Sequence, residues 1–498
     1  MPKKYPVMIL LLIIGILLGG LLREVIAGKT NQVFVNFVPI LQVGGDVAQP
    51  LMIKDDSSFA QVEFTYKGEC LQGIPLADIV QSAVPVGNNN KILFIADDGL
   101  SAVIDGQDLE GCHLLFSDRG WEVINLFHPV SSNVKRIQEI VIIAEDAPLD
   151  YGINIITQDA NLAHFTPGQL YQLHSMHVPY FEGTSTVTSG GKENSVSVYT
   201  RRYLYPLTDL VELNGDEQFL VMGGQGECFY TTEPGFLEVK DNKINYITLD
   251  RKAEIEDVKG VIMNPPADSI TNLYHDALHF LQQEEKVLLI YLDGFGFHQY
   301  KKAVAEGYAP FLASLPAAVK ASSVYQPVTN AGFAAMITGT TPAENGVFSR
   351  KQMELKTPSI FAKAQELGKK AALIEGHIKI LNTEVEPVLN LDTNGNGSNE
   401  DEIFAAAQQY IADGCDLLLV HSHSIDDAGH TYGDFHERTM AEIKLIDGYV
   451  ERLVKAWDGR VIITADHGMH TTAEGGGHGE FRYEDLFVPY LVCEGGLN

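Results

Sequence analysis

Hydrophobic positions follow two different patterns along the chain. Between about residues 33 and 263, short apolar runs such as "VEFTYKG", "KILFIADDG" and "INYITLD" are separated by glycine, asparagine and aspartate. Runs of this length between turn-forming residues predict β-strands. After about residue 286, continuous apolar runs such as "KVLLIYLD", "KAALIEG", "DLLLVHSHS" and "GRVIITADH" alternate with segments of helical periodicity. The second pattern predicts a parallel sheet with helices on both faces.

The change of pattern predicts where the domains begin and end. "NPP" at residues 264–266 marks a break, and the segment that follows it has helical periodicity. We therefore predict a β-rich accessory domain over residues 31–264, a helical connector over 265–285 and an α/β domain over 286–498. A chain of 498 residues is long enough to bury more than one core.

Two stretches of the β-rich region resemble each other. "VEFTYKGECLQGIPLADIV" leads to "KILFIADDG", and "VSVYTRRYLYPLTDLVEL" leads to "QFLVMGGQG". Each stretch pairs a strand with an x-Pro-Leu-x-Asp helix start and a second strand, which suggests two repeats of one unit. The segment "LQGIPLADIV" is also similar to part of the molybdopterin-binding domain of the sulfite oxidase family. Cys70 stands in the wrong place for that family's metal-binding cysteine, so we expect a structural or ligand-recognition module.

The first thirty residues have the pattern of a membrane-targeting segment. Lys3 and Lys4 precede an uncharged, mainly apolar stretch over residues 5–22. This pattern fits an uncleaved transmembrane anchor or a signal peptide cleaved after Ala27. Arg23 and Glu24 directly after the apolar stretch favour the anchor. The positive flank predicts a single-pass cell-membrane protein whose remaining domains are extracytoplasmic, or a secreted protein if the segment is cleaved.

Net charge and cysteine content exclude some classes of partner. The chain has 35 basic and 65 acidic residues, a formal charge of -30, which repels nucleic-acid polymers. Bound divalent metals would reverse that field locally. The five cysteines are odd in number and show no CxxC spacing, so they indicate neither a zinc knot nor a disulfide framework.

Residues that can bind metals follow three of the four apolar runs of the α/β domain. Carboxyl ends of parallel strands meet at one edge of a sheet, so these residues are expected to lie close together. Carboxylates and neutral imidazoles in this number are sufficient for two divalent ions, Zn²⁺ as first choice and Mn²⁺ as second. The residues are Asp293, Asp426, His430, Asp466, His467 and, in the glycine-rich loop "EGGGHGEF", His478.

The segment "YQPVTNAGFAAMITGTTPAENG" contains a candidate nucleophile. Thr329 follows a short extended segment and precedes a predicted helix of small and apolar residues. A threonine at this place is commonly a helix N-cap. The same geometry also presents a hydroxyl and free backbone N–H groups to an anion, and contact with a metal would lower the hydroxyl pKa.

Five motifs in order resemble a known group of enzymes. "LDGFG", "PVTNAGFAAMITGTTPAENGV", "IDDAGHTYG", "ADHGM" and "GGGHGE" are similar to the alkaline phosphatase superfamily. The similarity is greatest to its type I phosphodiesterase/nucleotide pyrophosphatase branch and to the related phosphonoacetate hydrolases. It spans residues 286 to about 481. The resemblance implies an α/β fold, with an alkaline phosphatase-like parallel-sheet domain after the β-rich domain and the transmembrane segment.

The resemblance also implies a role for each matching residue. Thr329 would attack phosphorus and form a phospho-threonine, which water would then hydrolyse. Two cations roughly 4 Å apart would stabilise the attacking and leaving oxygens. The implied ligands of one metal are Asp293, Thr329, Asp466 and His467, and those of the other are Asp426, His430 and His478.

One position departs from the phosphodiesterase pattern. That branch usually has an asparagine soon after the "GxxPxxHGI" segment to hold a phosphate oxygen, whereas "TTPAENGVFSRK" has Arg350 near that position. Arginine could bind a phosphoryl or carboxylate group bidentately, or it could be a solvated surface residue. An arginine in the pocket would favour a small or dianionic group, so monoester, diester and phosphonate substrates all stay open.

The remaining polar residues of "HSHSIDDAGHTYG" are given supporting roles. His421 and His423 lie on the predicted strand, where packed and hydrogen-bonded roles are expected rather than metal ligation. Asp427 lies between two implied ligands and is expected to be exposed or to support them.

The sequence therefore predicts an extracytoplasmic two-metal hydrolase that cleaves phosphodiester, pyrophosphate or phosphomonoester bonds. Its expected partners are a phosphate-containing small molecule or an envelope component, and the membrane through the N-terminal segment. A phosphonate hydrolase and an envelope phosphotransferase are the alternatives. A non-catalytic binding protein is less consistent with the complete ligand set.

Overall fold

β-Strands dominate the first half of the chain, as the sequence predicts. A computed structural model describes residues 40–496, and residues 41–144 form one nine-stranded sheet with the order β2-β1-β9-β8-β7-β4-β3, in which β5 joins β9 and β6 joins β5. Most of its buried apolar side chains form one core, and Leu93, Val141 and Ile143 form a smaller cluster. The strands are β1 (Leu41–Gly45), β2 (Leu51–Ile53), β3 (Val62–Tyr66), β4 (Glu69–Pro75), β5 (Asn90–Ala96), β6 (Ser101–Asp105), β7 (Cys112–Ser117), β8 (Gly120–Asn125) and β9 (Lys135–Ala144), with helix α1 (Leu76–Ala83) after β4.

A second β-rich unit follows. It contains two five-stranded sheets, ordered β11-β10-β19-β14-β15 and β12-β13-β16-β17-β18, and apolar side chains of both sheets share one core. Its elements are β10 (Ile153–Ile156), β11 (Asn161–Phe165), α2 (Pro167–Leu170), β12 (Met176–Ser189), β13 (Lys192–Pro206), β14 (Phe219–Gly223), β15 (Cys228–Thr231), β16 (Phe236–Lys240), β17 (Lys243–Ile247), β18 (Glu254–Ile255) and β19 (Val258–Met263).

The two x-Pro-Leu-x-Asp segments take up similar local structures. Pro75 ends β4 and directly precedes α1, and Pro206 ends β13 and directly precedes a turn of 3₁₀ helix at Leu207–Asp209. Proline suits this place because its fixed φ and missing N–H are tolerated where a helix begins. The duplication itself stays a prediction, as does the similarity to the sulfite oxidase family.

The last unit is an eight-stranded sheet with helices. The sheet order is β20-β22-β29-β26-β21-β25-β23-β24, and all pairs are parallel except those of β29. Its strands, with a short hairpin of β27 and β28, are β20 (Asp268–Ser269), β21 (Val287–Leu292), β22 (Val319–Ser322), β23 (Ala371–Glu375), β24 (Val388–Leu389), β25 (Leu417–Ser422), β26 (Arg460–Thr464), β27 (His470–Thr471), β28 (Gly476–Gly477) and β29 (Phe487–Glu494). Its helices are α3 (Asn272–Gln282), α4 (Phe297–Glu306), α5 (Pro310–Ser314), α6 (Thr329–Thr338), α7 (Pro342–Asn345), α8 (Ile360–Glu366), α9 (Glu400–Ala412), α10 (Ser424–Tyr432), α11 (Glu437–Ala456) and α12 (Tyr483–Leu486).

Burial explains why the central strands are continuous apolar runs. Every residue of β21 and of β25 is buried, so both faces of the sheet are covered. The predicted α/β fold after a β-rich region is thus confirmed. The antiparallel β29 was not predicted, because pairing direction is set by the connections and not by hydrophobicity. The domain boundaries drawn from the sequence stay predictions.

The predicted membrane anchor at residues 1–30 lies outside the described residues. Over residues 40–496, no helix is long and apolar enough to cross a bilayer. All five cysteines lie in that range and are free thiols; Cys112, Cys415 and Cys493 are buried and Cys70 is exposed.

The second β-rich unit packs against the last unit beside the glycine-rich loop that contains His478. Phe481 joins a buried cluster with Leu220, Met222 and Ile262 of that unit. A Cβ at Gly260 would lie 2.2 Å from the Phe481 ring, so glycine is required for this close approach. The contact anchors the loop that carries His478, three residues before Phe481.

Candidate metal centre

Two adjacent strands bring the first group of polar residues together. β21 lies between β26 and β25, and the three run parallel, so their carboxyl ends share one edge of the sheet. Asp293 directly follows β21, and Asp466 and His467 follow β26 after one residue. All three side chains are buried.

The first group has the spacing of a metal site. His467 Nε2 lies 3.1 Å from Asp466 Oδ2 and 3.5 Å from Asp293 Oδ1. The Thr329 hydroxyl, at the start of α6, lies 3.5 Å from the same His467 nitrogen. Asp293, Asp466 and His467 each offer one ligand atom, and these atoms lie within 4.8 Å of one another. The structure therefore brings together the four residues implied for one metal.

A second group lies beside the first. Asp426 is in the first turn of α10 and His430 is one turn later, with His430 Nε2 3.3 Å from Asp426 Oδ2. His478 reaches the same carboxylate from the glycine-rich loop, with Nε2 3.8 Å from Asp426 Oδ1. The rings of His467 and His478 are stacked with centroids 3.7 Å apart, so the two groups share a border.

Each of the three histidines is held in the orientation of a metal ligand. Nδ1 of His430 lies 3.2 Å from Gly476 O, Nδ1 of His467 lies 2.9 Å from Gly468 O, and Nδ1 of His478 lies 2.9 Å from Pro327 O. A backbone carbonyl can only accept, so each Nδ1 carries the proton and donates it. In the neutral ring, Nε2 then carries no proton and can bind a metal ion, and it faces the carboxylates.

The carboxylates fit cations for a complementary reason. Oδ1 of Asp293, Oδ1 of Asp426 and Oδ2 of Asp466 are buried and receive no hydrogen bond from any residue within 40–496. A buried carboxylate oxygen without a donor is costly unless a cation compensates it. The donor set of oxygens and imidazole nitrogens suits Zn²⁺ or Mn²⁺.

Burial and mutual repulsion shift the pKa values of these groups. Burial raises the pKa of the Asp466 carboxyl to about 7, and the charge of Asp293 adds to the shift. Burial lowers the pKa of His478 to about 2, and the neighbouring His467 acts in the same direction. Burial opposes protonation of His467, but Asp466 and Asp293 raise its pKa. His478 is thus a neutral ligand, and both shifts come from the other groups of the centre together with burial.

Helix α6 presents Thr329 to this centre. It starts at Thr329 after Val328 in extended conformation, and eight of its ten residues are buried, which confirms the predicted helix. Gly332, in its first turn, lies directly against the Asp466 backbone. A Cβ at Gly332 would lie 2.6 Å from Asp466 Cβ and 2.8 Å from its carbonyl oxygen.

Replacing Gly332 with alanine is expected to displace Asp466 and weaken divalent-ion binding. Overpacking of this kind costs about 1–3 kcal/mol of unfolding free energy. Gly448 lies in helix α11 with no atom within 4 Å of an added Cβ, so Gly448→Ala is the matched control. The control is expected to gain up to about 1 kcal/mol. Chemical denaturation and metal analysis of both variants measure the two effects; equal behaviour of the variants would contradict the packing argument.

Arg350 lies at the second group. Its guanidinium contacts Nε2 of His478, the nitrogen that faces Asp426, and part of its side chain remains exposed. Of the two interpretations of Arg350, this contact favours a residue of the centre over a solvated surface residue. An exposed guanidinium beside bound cations could bind a phosphoryl or carboxylate oxygen.

Several residues that support the centre were not identified from the sequence. His421 and His423 have the packed, hydrogen-bonded character expected of them, but Glu375, which ends β23 and contacts His421 Nδ1, was missed. The sequence feature that could have identified Glu375 is an acidic residue at the end of a buried apolar run. Asp485 was also missed: it accepts from His470 Nδ1 at 2.7 Å and from Glu480 N at 3.0 Å, and so holds the loop after His478. No local pattern points to Asp485.

The carboxyl-terminal part of the chain matches a known family. Residues 372–489 match the model of the type I phosphodiesterase/nucleotide pyrophosphatase family. Asp426, His430, Asp466, His467 and His478 lie inside this segment. The match confirms the resemblance drawn from the motifs, and the family is one of phosphoester hydrolases. No curated protein matches the chain significantly.

Solved structures of three proteins are similar to part of this chain. Phosphonoacetate hydrolase from Sinorhizobium meliloti 1021, in complex with phosphonoformate, is 19% identical over 37% of this chain and 57% of its own, with a TM-score of 0.31. Murine ectonucleotide pyrophosphatase/phosphodiesterase 5 is 20% identical over 38% and 59%, with a TM-score of 0.32. The human protein of that name is 21% identical over 38% and 58%, with a TM-score of 0.31. The chain thus covers less than two thirds of the length of each.

Proposed function

We propose, from the family match over residues 372–489, that this protein is a two-metal hydrolase of phosphoester-type bonds with Thr329 as its nucleophile. One observation carries the proposal. Three histidines have Nδ1 fixed by backbone carbonyls. Nε2 of His467 and Nε2 of His478 face carboxylate oxygens that have no donor among residues 40–496, and Nε2 of His430 faces the other oxygen of Asp426. A non-catalytic binding protein would have no need of such a set together with a hydroxyl at its border.

The two groups of side chains would hold the cations that the reaction needs. Divalent cations bound here would supply the positive charge that lowers the pKa of the Thr329 hydroxyl and stabilises the transition-state oxygens. The first group, Asp293, Asp466 and His467, lies beside Thr329. The second group, Asp426, His430 and His478, borders the first where the His478 ring stacks on the His467 ring.

The first step forms a covalent intermediate. The Thr329 hydroxyl loses its proton to solvent, its oxygen forms a bond to phosphorus, and the bond from phosphorus to the leaving-group oxygen breaks, so that the leaving group departs with the electron pair. Thr329 is the first residue of a ten-residue helix, so backbone N–H groups at that end face the substrate anion. In the second step water attacks phosphorus, the bond to the Thr329 oxygen breaks, and the free hydroxyl and phosphate are regenerated.

Location and natural substrate belong to the same proposal. The apolar segment over residues 5–22 supports a membrane anchor and an extracytoplasmic active site, acting on a phosphate-containing small molecule or an envelope component. Zn²⁺ is the first choice of metal, and Mn²⁺ is the second.

Comparison of three substrates tests the proposal. The purified protein is expected to hydrolyse p-nitrophenyl phosphate faster than bis-p-nitrophenyl phosphate, because the Arg350 guanidinium suits a dianionic group. Hydrolysis of phosphonoacetate faster than of either ester would instead support the alternative, a phosphonate hydrolase that cleaves a carbon–phosphorus bond. Arg350→Ala is expected to lower kcat/KM for the preferred substrate by about 10- to 100-fold, the effect of about 1.5–3 kcal/mol for a hydrogen bond to a charged group. For the diester, kcat/KM of Arg350→Ala should fall by a smaller factor.

Lys351→Ala is the matched control, because it removes the same charge from the next, exposed residue. It should leave all three rates within about twofold of the wild type, since exposed charges contribute little. Absence of turnover of every substrate in the presence of zinc and of manganese would exclude the hydrolase. An equal effect of the two variants would remove Arg350 from the site.

A further inference from the structure

A buried row of three side chains runs across neighbouring strands of the sheet. Glu375 ends β23, His421 lies in β25, and Asp293 follows β21. His421 Nδ1 lies 3.2 Å from Glu375 Oε2, and His421 Nε2 lies 3.2 Å from Asp293 Oδ2. His421 and Glu375 are completely buried. The Tyr291 ring stacks on the imidazole at 3.7 Å between centroids and fixes its plane.

His421 differs from the three histidines assigned to the metals. Each of those rings donates Nδ1–H to a backbone carbonyl, which leaves Nε2 unprotonated in the neutral ring, whereas both nitrogens of His421 face carboxylate oxygens. A carboxylate accepts hydrogen bonds, so both ring nitrogens can donate. His421 therefore has no free nitrogen for a metal, although it contacts Asp293, an implied metal ligand.

The two oxygens of Asp293 have opposite surroundings. Oδ2 lies next to His421 Nε2 and, at 3.4 Å, next to His423 Nδ1. His423 Nε2 in turn accepts from Gly376 N at 3.4 Å, so its Nδ1 carries the proton and points to Asp293. Oδ1 receives no hydrogen bond from the described residues and faces His467.

From this asymmetry we propose that His421, anchored by Glu375, is a positioning residue for the metal that Asp293 binds. By holding Oδ2, it directs Oδ1 alone to the cation and prevents the carboxylate from rotating. It acts through Asp293 and touches neither substrate nor the reacting atoms. The inference rests on the proposed function for the presence of that metal.

The row also explains why a buried acid is retained at Glu375. Without Glu375 the imidazole could rotate about its side-chain torsions, and Oδ2 of Asp293 would lose a donor. Partners that orient a metal ligand typically contribute 10- to 100-fold to metal affinity. We therefore expect His421→Leu to weaken binding of one of the two ions by about 10- to 100-fold.

Zinc binding to the full chain tests this role. Metal-free protein is equilibrated at graded free zinc set by a chelator, and bound zinc per chain is measured with plasma mass spectrometry. His421→Leu should weaken one binding step and leave the other unchanged. His421→Gln should stay within a few-fold of the wild type, because its amide can still donate at the position of Nε2. His113→Leu is the control, since it removes a buried histidine from the first β-rich unit.

A second variant covers failure of His421→Leu to fold. His423 is 17% exposed and donates to the same oxygen, so His423→Ala should fold and weaken the same step by about tenfold. Circular dichroism of the metal-free proteins reports the fold. Two ions bound as tightly in the two variants as in the wild type would overturn the positioning role. Three ions in the wild type and two in His421→Leu would also overturn it, because His421 would then be a ligand. No bound zinc in the wild type would overturn the proposed function and this role with it.

Discussion

Replacement of Thr329 by alanine is expected to abolish turnover of the preferred phosphoester while the fold and both metals are kept. The variant has no hydroxyl to form the bond to phosphorus, and no other hydroxyl is hydrogen-bonded to His467 within residues 40–496. Loss of a nucleophile that works with a preorganised site lowers kcat on the order of 10⁴-fold or more. Steady-state kinetics of wild type and variant on the chromogenic substrate measure the effect.

Thr329→Ser separates loss of the nucleophile from loss of packing. Serine keeps the hydroxyl and loses only a methyl group, so we expect measurable activity below that of the wild type. An acid quench during turnover should trap a phosphoryl group on the peptide that contains Thr329 in the wild type and not in Thr329→Ala. Unchanged activity of Thr329→Ala would remove Thr329 from the mechanism.

Removal of divalent cations is expected to have the second large effect. Without them, burial raises the pKa of Asp466 to about 7, and the nearby charge of Asp293 adds to the shift. Chelation should abolish activity, and zinc should restore it, with manganese as the alternative. Ligand at about 100 times its Kd stabilises a folded protein by about 2.7 kcal/mol. At about 2–4 °C per kcal/mol for a domain of this size, the metal-free protein should melt on the order of 5–10 °C lower.

Metal analysis of variants at two adjacent aspartates tests the site, with the second variant as the control for the first. Asp426→Asn removes a carboxylate that lies against His430 and His478, and should reduce bound metal from about two ions per chain to about one. Asp427→Asn changes the next residue, which is exposed and outside both groups, and should keep both ions. Full activity after exhaustive chelation, or equal metal loss in the two variants, would contradict the two-metal site.

The second β-rich unit contributes to the geometry of the metal centre. Phe481 lies in a cluster with side chains of β14 and β19, and Lys320 Nζ lies 2.8 Å from Asp159 of the same unit. Because Phe481 is three residues from His478, this packing limits the positions that the glycine-rich loop can take. The accessory region therefore supports the centre physically, whatever else it binds.

Local sequence was sufficient for the elements and for most of the candidate ligands. Continuous apolar runs identified β21, β25 and β26, because strands buried on both faces admit little else. Asp293, Asp466 and His467 were predicted because polar residues at the ends of such strands share one edge. The family resemblance added the specific roles of Thr329 and His478, which hydrophobic periodicity could not indicate. The similarity was therefore necessary for the site but not for the fold class.

The tertiary structure decided how these residues act together. Glu375, His421 and Asp293 lie on three strands joined by long connections, so only the order of strands in the sheet makes them neighbours. In the same way, the contact of Arg350 with His478 and the antiparallel direction of β29 depend on how distant segments pack. The sequence by itself determined which residues form strands and which carry chemistry, because periodicity and residue type are local properties. Which nitrogen of each histidine is free, and which oxygen of Asp293 faces the cation, depends on hydrogen bonds between residues far apart in the chain, and only the folded structure decides them.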